Sequence, residues 1–200
     1  MTRTNTLVES SPMFALSEDQ QAIRAAVREL VEARVAPYAG EVDEQARFPS
    51  EAFKALAAAD FDAPHIPEEY GGAGADALAT CLVIEEVARG CASSSLIPAV
   101  NKLGTLPLLI AGSNELKEHY LPQVARDHLM FSYCLSESES GSDAAAMRTR
   151  AVRDGDDYVI TGAKRWITNA GESAFYTVFA VTDPDARTHG ITAFVVERGE

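Results

Sequence analysis

Cysteine is scarce in this sequence, and the few thiols present form no recognisable pairing pattern. The three cysteines are Cys81, Cys91 and Cys134, an odd number with no C-x-x-C pair among them. A small secreted fold held together by disulfides needs more cysteines, so this class of protein is excluded. We expect free thiols and a protein of the reducing cytoplasm.

Positive charge is also in short supply, and so are long apolar runs. The sequence has 17 Lys and Arg against 30 Asp and Glu, a net charge of −13. Such a surface repels phosphate backbones, so neither nucleic acid nor an anionic membrane is expected as a general partner. Prolines, a glycine and polar residues interrupt the apolar region 96–111, so we predict no membrane span. Residues 1–16 contain only short apolar pieces and are interpreted as an N-terminal extension without a signal peptide.

The common catalytic motifs are missing as well. The sequence has no G-x-S-x-G nucleophile elbow, no Walker A loop and no H-E-x-x-H zinc motif. The glycines at 71, 72 and 74 lack dinucleotide-binding spacing and follow no strand, so they favour a tight turn. We predict a structural role for His65, which lies in a proline-flanked loop, and no metal site. The histidines, none with metal-ligand spacing, are His65, His119, His128 and His189.

The first two-thirds of the chain have a helical pattern. Ser17 and Gln20 form a capping box before apolar residues at helical spacing, and Pro37 and Gly40 indicate where that helix ends. Residues 61–75 are rich in proline and glycine and predict a long ordered loop. Further helices are predicted from Ser50 onward, over 76–89, over 93–103, after Ser113 and over 121–126.

The pattern changes to β-strands near residue 128. Strands are predicted over 129–135, 148–153, 158–161, 175–181 and 191–196, with a hairpin turn at Asp154-Gly155-Asp156. The fold class is therefore α+β, with an all-α domain over 17–128 and a β domain over 129–200. Five strands with no closing partner leave open edges, which indicates that the β domain is incomplete and part of something larger.

Two segments remain as candidate functional sites. In residues 133–143 a strand leads into a loop of hydroxyls and a glycine, which can form an anion-binding nest or an ordinary capped turn. In residues 162–169 the only tryptophan, Trp166, stands near the hydroxyl of Thr168. Trp166 could equally be a core residue of the β domain. The residues alone leave both alternatives open.

Three segments in order together resemble the acyl-CoA dehydrogenase family. They are CLSESESGSDAAA (134–146), GAKRWITN (162–169) and IPEEYGGAGAD (66–76), on an α-then-β background. The resemblance extends from about Leu16 onward and is closest to actinobacterial members of fatty-acid oxidation. One departure is Ser138-Glu139, where many relatives have Pro-Gly.

The resemblance implies a flavoprotein that oxidises an acyl-CoA thioester to the trans-2-enoyl-CoA with FAD and passes electrons to an electron-transfer flavoprotein. It implies a homotetramer whose helical domain precedes a β-barrel-like middle domain, with the family's C-terminal helical bundle absent from these 200 residues. Ser136 would stabilise charge on the reduced flavin, and Thr168 would hydrogen-bond near its N5. The implied cofactor-binding residues are Tyr133, Leu135, Ser136, Gly141, Ser142, Trp166, Ile167 and Thr168. The implied substrate-binding residues are Ser142, Ala99 and Leu103.

The resemblance also indicates that no catalytic base lies in this sequence, because the family's glutamate belongs to the C-terminal bundle, beyond residue 200. We interpret Glu137 as part of the flavin loop and expect Glu85 and Glu86 to be solvated on a helix. Two alternatives remain. One is an acyl-CoA oxidase of the same fold, which passes electrons to oxygen. The other is a non-catalytic flavin- or CoA-binding partner subunit.

Overall fold

The computed structural model describes residues 15–199, in which helices precede a mixed β-sheet. This order confirms the predicted α+β fold class. The helices are α1 (Glu18–Arg34), α2 (Ala39–Gln45), α3 (Ser50–Ala57), α4 (Ala77–Gly90), α5 (Ala92–Ala111) and α6 (Asn114–Arg126). The strands are β1 (Phe131–Cys134), β2 (Arg150–Asp154), β3 (Asp157–Thr161), β4 (Phe175–Val181) and β5 (Ile191–Glu197).

Side-chain caps start three of the helices where the sequence indicates. Ser17 and Gln20 exchange the two hydrogen bonds of a capping box at the start of α1, as predicted. The Asp76 carboxylate accepts from the backbone N–H of Ala79, and the Ser113 hydroxyl accepts from that of Leu116. Each cap satisfies a backbone donor that the first helical turn leaves without a partner.

Proline and glycine interrupt the helices less than the sequence pattern predicts. α1 ends at Arg34, before Pro37 as predicted, but Gly40 lies inside α2 and does not mark a stop. The helix predicted over 93–103 continues through Pro98 and Pro107 to Ala111. The two short helices predicted after Ser113 form one helix, α6, with Pro122 inside it. An interior proline costs about 3 kcal/mol of helix stability, but the packing of α5 against α4 and β1 outweighs this cost.

By length and composition alone, α5 is long and apolar enough to cross a membrane, so its prolines and polar residues do not by themselves exclude a membrane span. Half of its most apolar stretch is buried inside the protein. Its buried Asn101 also has partners within the protein, because it donates to the carbonyl of Asp62 and accepts from the N–H of Phe131. These contacts are typical of the core helix of a globular domain.

The sheet is built around β4. β5 pairs with β4 antiparallel along its whole length, from Phe175 opposite Glu197 to Val181 opposite Ile191. Along the other edge, β1 pairs in parallel with the first half of β4, and β2 joins through Arg150 opposite Val181. β2 and β3 form the predicted hairpin. β1 therefore ends halfway along β4, and the chain leaves the sheet there.

α5 joins the helical core to the sheet. On one side of α5, the helices α1, α3 and α4 pack around Val31, Leu56 and Val87, which are fully or almost fully buried. On its other side, Phe131 of β1 and Phe175 of β4 form the second core. The hydroxyl of Thr177 donates to the carbonyl of Gly104 at 2.6 Å, which fixes α5 across β4. This packing places one face of α5 beside the end of β1.

Candidate functional site

A cleft of about 260 Å³ opens between α5, the end of β1 and the segment that precedes β4. Its lining combines aromatic and aliphatic side chains with three hydroxyl groups. The lining residues are Val100, Leu103, Tyr133, Leu135, Ser136, Trp166, Ile167 and Thr168. A cleft that combines apolar side chains with a few polar groups is the usual form of a small-molecule site.

The cleft brings together most of the residues singled out from the sequence. Six of the predicted cofactor-binding residues and the predicted substrate residue Leu103 line it. Val100 was missed, although it precedes Leu103 by three residues on α5 and therefore shares its face. Ala99, Gly141 and Ser142 are not among the lining residues.

The loop that carries Gly141 and Ser142 folds as a closed turn. The backbone N–H of Glu137 donates to the carbonyl of Ser140 at 2.8 Å, and the hydroxyl of Ser140 donates to the carbonyl of Asp143. Ser138 and Glu139 occupy the exposed tip. A Cβ added at Gly141 would meet no atom of the chain within 4 Å, so internal packing does not require glycine there. Close approach of this backbone to a ligand stays a prediction.

Trp166 is 88% exposed, so it is not a core residue of the β domain. Its backbone has a φ of 61°, in the left-handed region that bulky side chains rarely adopt. Such a conformation persists only where surrounding contacts impose it, and it is common at ligand sites. An exposed indole held this way is suited to pack against a flat ring.

The two lining segments are fastened directly to each other and to β1. The backbone N–H of Arg165 donates to the carbonyl of Ser136 at 2.8 Å. The buried hydroxyl of Ser132 donates to the carbonyl of Thr168 at 2.7 Å and lies 2.8 Å from the hydroxyl oxygen of Ser173. These bonds hold the backbone on which Ser136, Trp166 and Thr168 are mounted.

Glu137 follows Ser136 but does not line the cleft. Its carboxylate accepts hydrogen bonds from the ammonium of Lys164, the hydroxyl of Thr149 and the backbone N–H groups of Arg148 and Thr149. Burial alone would raise the pKa of Glu137, but these donors outweigh it and lower the pKa to about 2. A carboxylate this weakly basic is unsuited to removing a proton from carbon near neutral pH.

The expected solvation of Glu86 is wrong. Glu86 is buried between α1 and α4, with its carboxylate paired to Arg28 at 2.5 Å and to Arg89 at 3.3 Å. Glu85, one residue earlier on α4, is exposed as expected. The helical pattern alone could not distinguish the two, because the position of α1 against α4 decides which side of the helix is covered.

The cysteines and His65 lie outside the cleft lining. All three cysteines are free, with Cys91 and Cys134 buried. Within residues 15–199, no group of His, Cys, Asp or Glu side chains could hold a metal ion. His65 is buried with its Nε2 2.8 Å from the hydroxyl of Thr105, which supports the predicted structural role.

Comparison with known protein families assigns both parts of the chain. Residues 17–128 match the acyl-CoA dehydrogenase N-terminal domain, and residues 132–200 match the acyl-CoA dehydrogenase middle domain. The chain belongs to the acyl-CoA dehydrogenase family. It is 59% identical over 191 residues to the probable acyl-CoA dehydrogenase FadE25 of Mycobacterium tuberculosis, which covers 96% of the chain and 49% of that protein. The chain thus spans about half the length of the curated relatives it matches.

Solved structures share the fold of this chain. A chain of the structure described as the electron transferring flavoprotein of Acidaminococcus fermentans aligns with a TM-score of 0.88 and 36% identity, over 93% of this chain and 49% of that one. The glutaryl-CoA dehydrogenase of Mycobacterium smegmatis, in complex with FADH2, aligns with a TM-score of 0.83 and 34% identity, over 92% and 46% of the two chains.

Proposed function

We propose that this chain is the cofactor-binding half of an FAD-dependent acyl-CoA dehydrogenase. The reaction is the removal of two hydrogens across the Cα–Cβ bond of an acyl-CoA thioester, which yields the trans-2-enoyl-CoA. The observation that carries the proposal is the convergence of Tyr133, Leu135, Ser136 and residues 166–168 on one cleft in a chain of this family.

The lining of the cleft suits the flavin ring of FAD. Tyr133 and Trp166 offer flat aromatic surfaces, and Leu135 and Ile167 offer apolar contacts. The hydroxyls of Ser136 and Thr168 can donate hydrogen bonds to the ring, Ser136 toward the oxygen that gains charge on reduction. When bound, FAD supplies the hydride acceptor, and the protein orients and tunes it.

The face of α5 suits the acyl part of the substrate. Val100 and Leu103 line the cleft opposite the segment that carries Trp166, and both are aliphatic. An acyl chain along this face would present its α and β carbons toward the flavin site. We propose that Ala99 borders the same path and that Ser142, on the exposed loop, serves the CoA arm.

The catalytic base comes from outside this sequence in our proposal. Among the described residues, the eight that line the cleft include no carboxylate. Glu137 is too weak a base and is enclosed by four hydrogen-bond donors. A carboxylate elsewhere in the complete protein would therefore have to reach the cleft and remove the α-proton.

We further propose a role in the β-oxidation of fatty or branched acyl-CoA substrates, in the cytoplasm, as a homotetramer that reduces an electron-transfer flavoprotein. Similarity to FadE25 supports the metabolic role, and the free cysteines are compatible with a reducing compartment.

The test uses the protein expressed from its complete reading frame. We expect a visible flavin spectrum that bleaches when butyryl-CoA, octanoyl-CoA or isobutyryl-CoA is added without oxygen. The matched control is pivaloyl-CoA, which has no α-hydrogen and should leave the spectrum unchanged. Persistent bands with all three substrates would favour a non-catalytic partner subunit, and rapid turnover with oxygen alone would favour an oxidase. A folded protein without flavin would contradict the cofactor assignment.

A further inference from the structure

We propose that Glu137 and Lys164 form a positioning pair that sets the spacing of the two segments lining the flavin cleft. This inference rests on the proposed function and adds residues that act on the cleft without lining it. Glu137 follows Ser136 at the end of β1, and Lys164 precedes Arg165 and Trp166. Each therefore adjoins a segment that provides lining residues.

The contacts of Lys164 fasten one segment to the other. Its ammonium donates to the carbonyl of Leu135 at 3.1 Å and to Oε1 of Glu137 at 2.8 Å. The backbone N–H of Arg165 adds the bond to the carbonyl of Ser136. The lining residues Leu135 and Ser136 are thus held on one side, and Trp166 follows two residues after Lys164 on the other.

Glu137 also links the two cleft segments to a third segment, residues 148–149. Its Oε2 accepts from the backbone N–H of Arg148 at 2.6 Å, and its Oε1 accepts from the backbone N–H of Thr149 at 3.0 Å. The carbonyl of Thr149 in turn accepts from Val181 of β4 at 2.8 Å. Through this chain of hydrogen bonds, the carboxylate fixes the position of both cleft segments relative to β4, the middle strand of the sheet.

Gly162 shows how closely the third segment, which contains Thr149, approaches the segment that carries Lys164. A Cβ on this residue would lie 2.4 Å from the hydroxyl oxygen of Thr149 and 2.7 Å from its Cα. Any side chain at 162 would push apart the two segments and lengthen the reach from Lys164 to Glu137. The pair and the glycine therefore specify the same close packing.

The Glu137–Lys164 pair is more deeply buried than the ion pairs on the protein surface. The side chains of Lys164 and Glu137 are only 10% and 7% exposed, whereas Glu41, paired with Arg47, is 51% exposed. A buried ion pair contributes little net stability compared with apolar residues, because desolvation offsets the attraction. Its directional bonds do fix geometry, and removal of one partner leaves an unpaired buried charge.

The test compares Glu137→Gln, Lys164→Met and the double variant in the protein from its complete reading frame. Glu86→Gln is the matched control, since Glu86 is also a buried carboxylate paired with arginine but lies between α1 and α4. We expect each single variant at Glu137 or Lys164 to bind FAD about tenfold more weakly than the wild type. We also expect a shifted visible spectrum of the bound flavin. Glu86→Gln should lower the melting temperature while keeping the wild-type spectrum and affinity.

A double-mutant cycle shows whether the two residues act as one unit. The double variant should lose less FAD affinity than the sum of the single losses, and Lys164→Arg should retain more than Lys164→Met. If Glu137→Gln fails to fold, the two Lys164 variants carry the same comparison. Wild-type affinity and spectrum in the cleft variants would overturn the positioning role while leaving the proposed function intact. A wild-type protein that binds no FAD would overturn both.

Discussion

At the scale of single residues, the groups that shape the cleft are often ones that do not line it. Ser132 holds the carbonyl of Thr168, and the N–H of Arg165 holds the carbonyl of Ser136. The lining side chains are therefore mounted on backbone that is fixed before any ligand arrives. Such preorganisation lowers the ordering cost of binding.

Trp166 allows the first prediction at this scale. Replacement of Trp166 by Ala should change the free energy of unfolding by less than about 0.5 kcal/mol, because an exposed indole buries little area in the fold. Binding of FAD should nevertheless weaken about tenfold, because the ring loses an aromatic surface. Thermal unfolding and FAD titration measure the two effects. Tyr158→Ala, a partly exposed aromatic on β3, is the control and should leave FAD affinity unchanged.

His65 allows a second prediction, on pH. Burial, aided by the charge of Lys102, lowers the pKa of His65 from 6.5 to about 4. The unfolded chain therefore binds more protons than the native state between these values. The free energy of unfolding should fall by up to about 3 kcal/mol as the pH drops through this window.

Denaturant unfolding at a series of pH values measures this effect. His65→Gln keeps a donor for the hydroxyl of Thr105 but cannot take up the proton, so its stability should fall less steeply below pH 6.5. His189→Gln removes an exposed histidine and should follow the wild-type profile. Equal pH profiles for all three proteins would contradict the prediction.

At the scale of elements, α5 is the part that connects the core to the cleft. It contains two prolines and buried polar residues, yet it runs unbroken for 20 residues. Asn101 joins it to the loop at Asp62 and to the start of β1, and Thr177 joins it to β4. Its position, and with it the position of Val100 and Leu103, is set by these neighbours.

A pair of glycine substitutions tests how tightly α5 packs on the sheet. A Cβ at Gly104 would lie 2.7 Å from Cβ of Phe131, a buried atom that cannot move aside freely. Gly104→Ala should therefore destabilise the protein by about 2 kcal/mol, although alanine favours helices. At Gly40 in α2 the added Cβ meets no atom within 4 Å, so Gly40→Ala should stabilise by about 0.5 kcal/mol. Chemical denaturation gives both values, and effects of equal sign would contradict the packing argument.

At the scale of the whole molecule, an apolar stripe beside the cleft faces outward. Leu96, Leu103, Leu106 and Ile110 recur along α5 at helical spacing and are all exposed, and Trp166 is exposed nearby. Within residues 15–199 the four α5 residues keep between 39% and 74% of their surface exposed. The curated relatives are about twice as long as this chain.

A comparison of residues 1–200 with the protein from the complete reading frame tests whether other residues contribute to the site. Residues 1–200 alone should bind FAD at least tenfold more weakly than the protein from the complete reading frame, because fewer contacts offset the cost of association. The short chain loaded with FAD should also fail to bleach with acyl-CoA, since no described lining residue is a base. FAD titration and anaerobic absorbance spectra test both points. Bleaching by the short chain would place the base within residues 1–200.

The sequence by itself indicated most of the elements and most residues of the candidate cleft. Caps at Ser17, Asp76 and Ser113, the hairpin turn at Gly155 and the β-branched runs are local signals, and local structure follows from them. The motif order indicated the family, because the residues proposed to bind the cofactor lie in short contiguous segments.

Only the tertiary structure decided the features that depend on distant neighbours. The continuity of α5 through its prolines, the burial of Glu86 and the exposure of Trp166 depend on which element packs where. The bonds from Lys164 to Leu135 and from Glu137 to Thr149 likewise join residues far apart in the sequence. Neither hydrophobic periodicity nor secondary-structure propensity predicts these contacts, because they form only when the sheet brings three separate segments together.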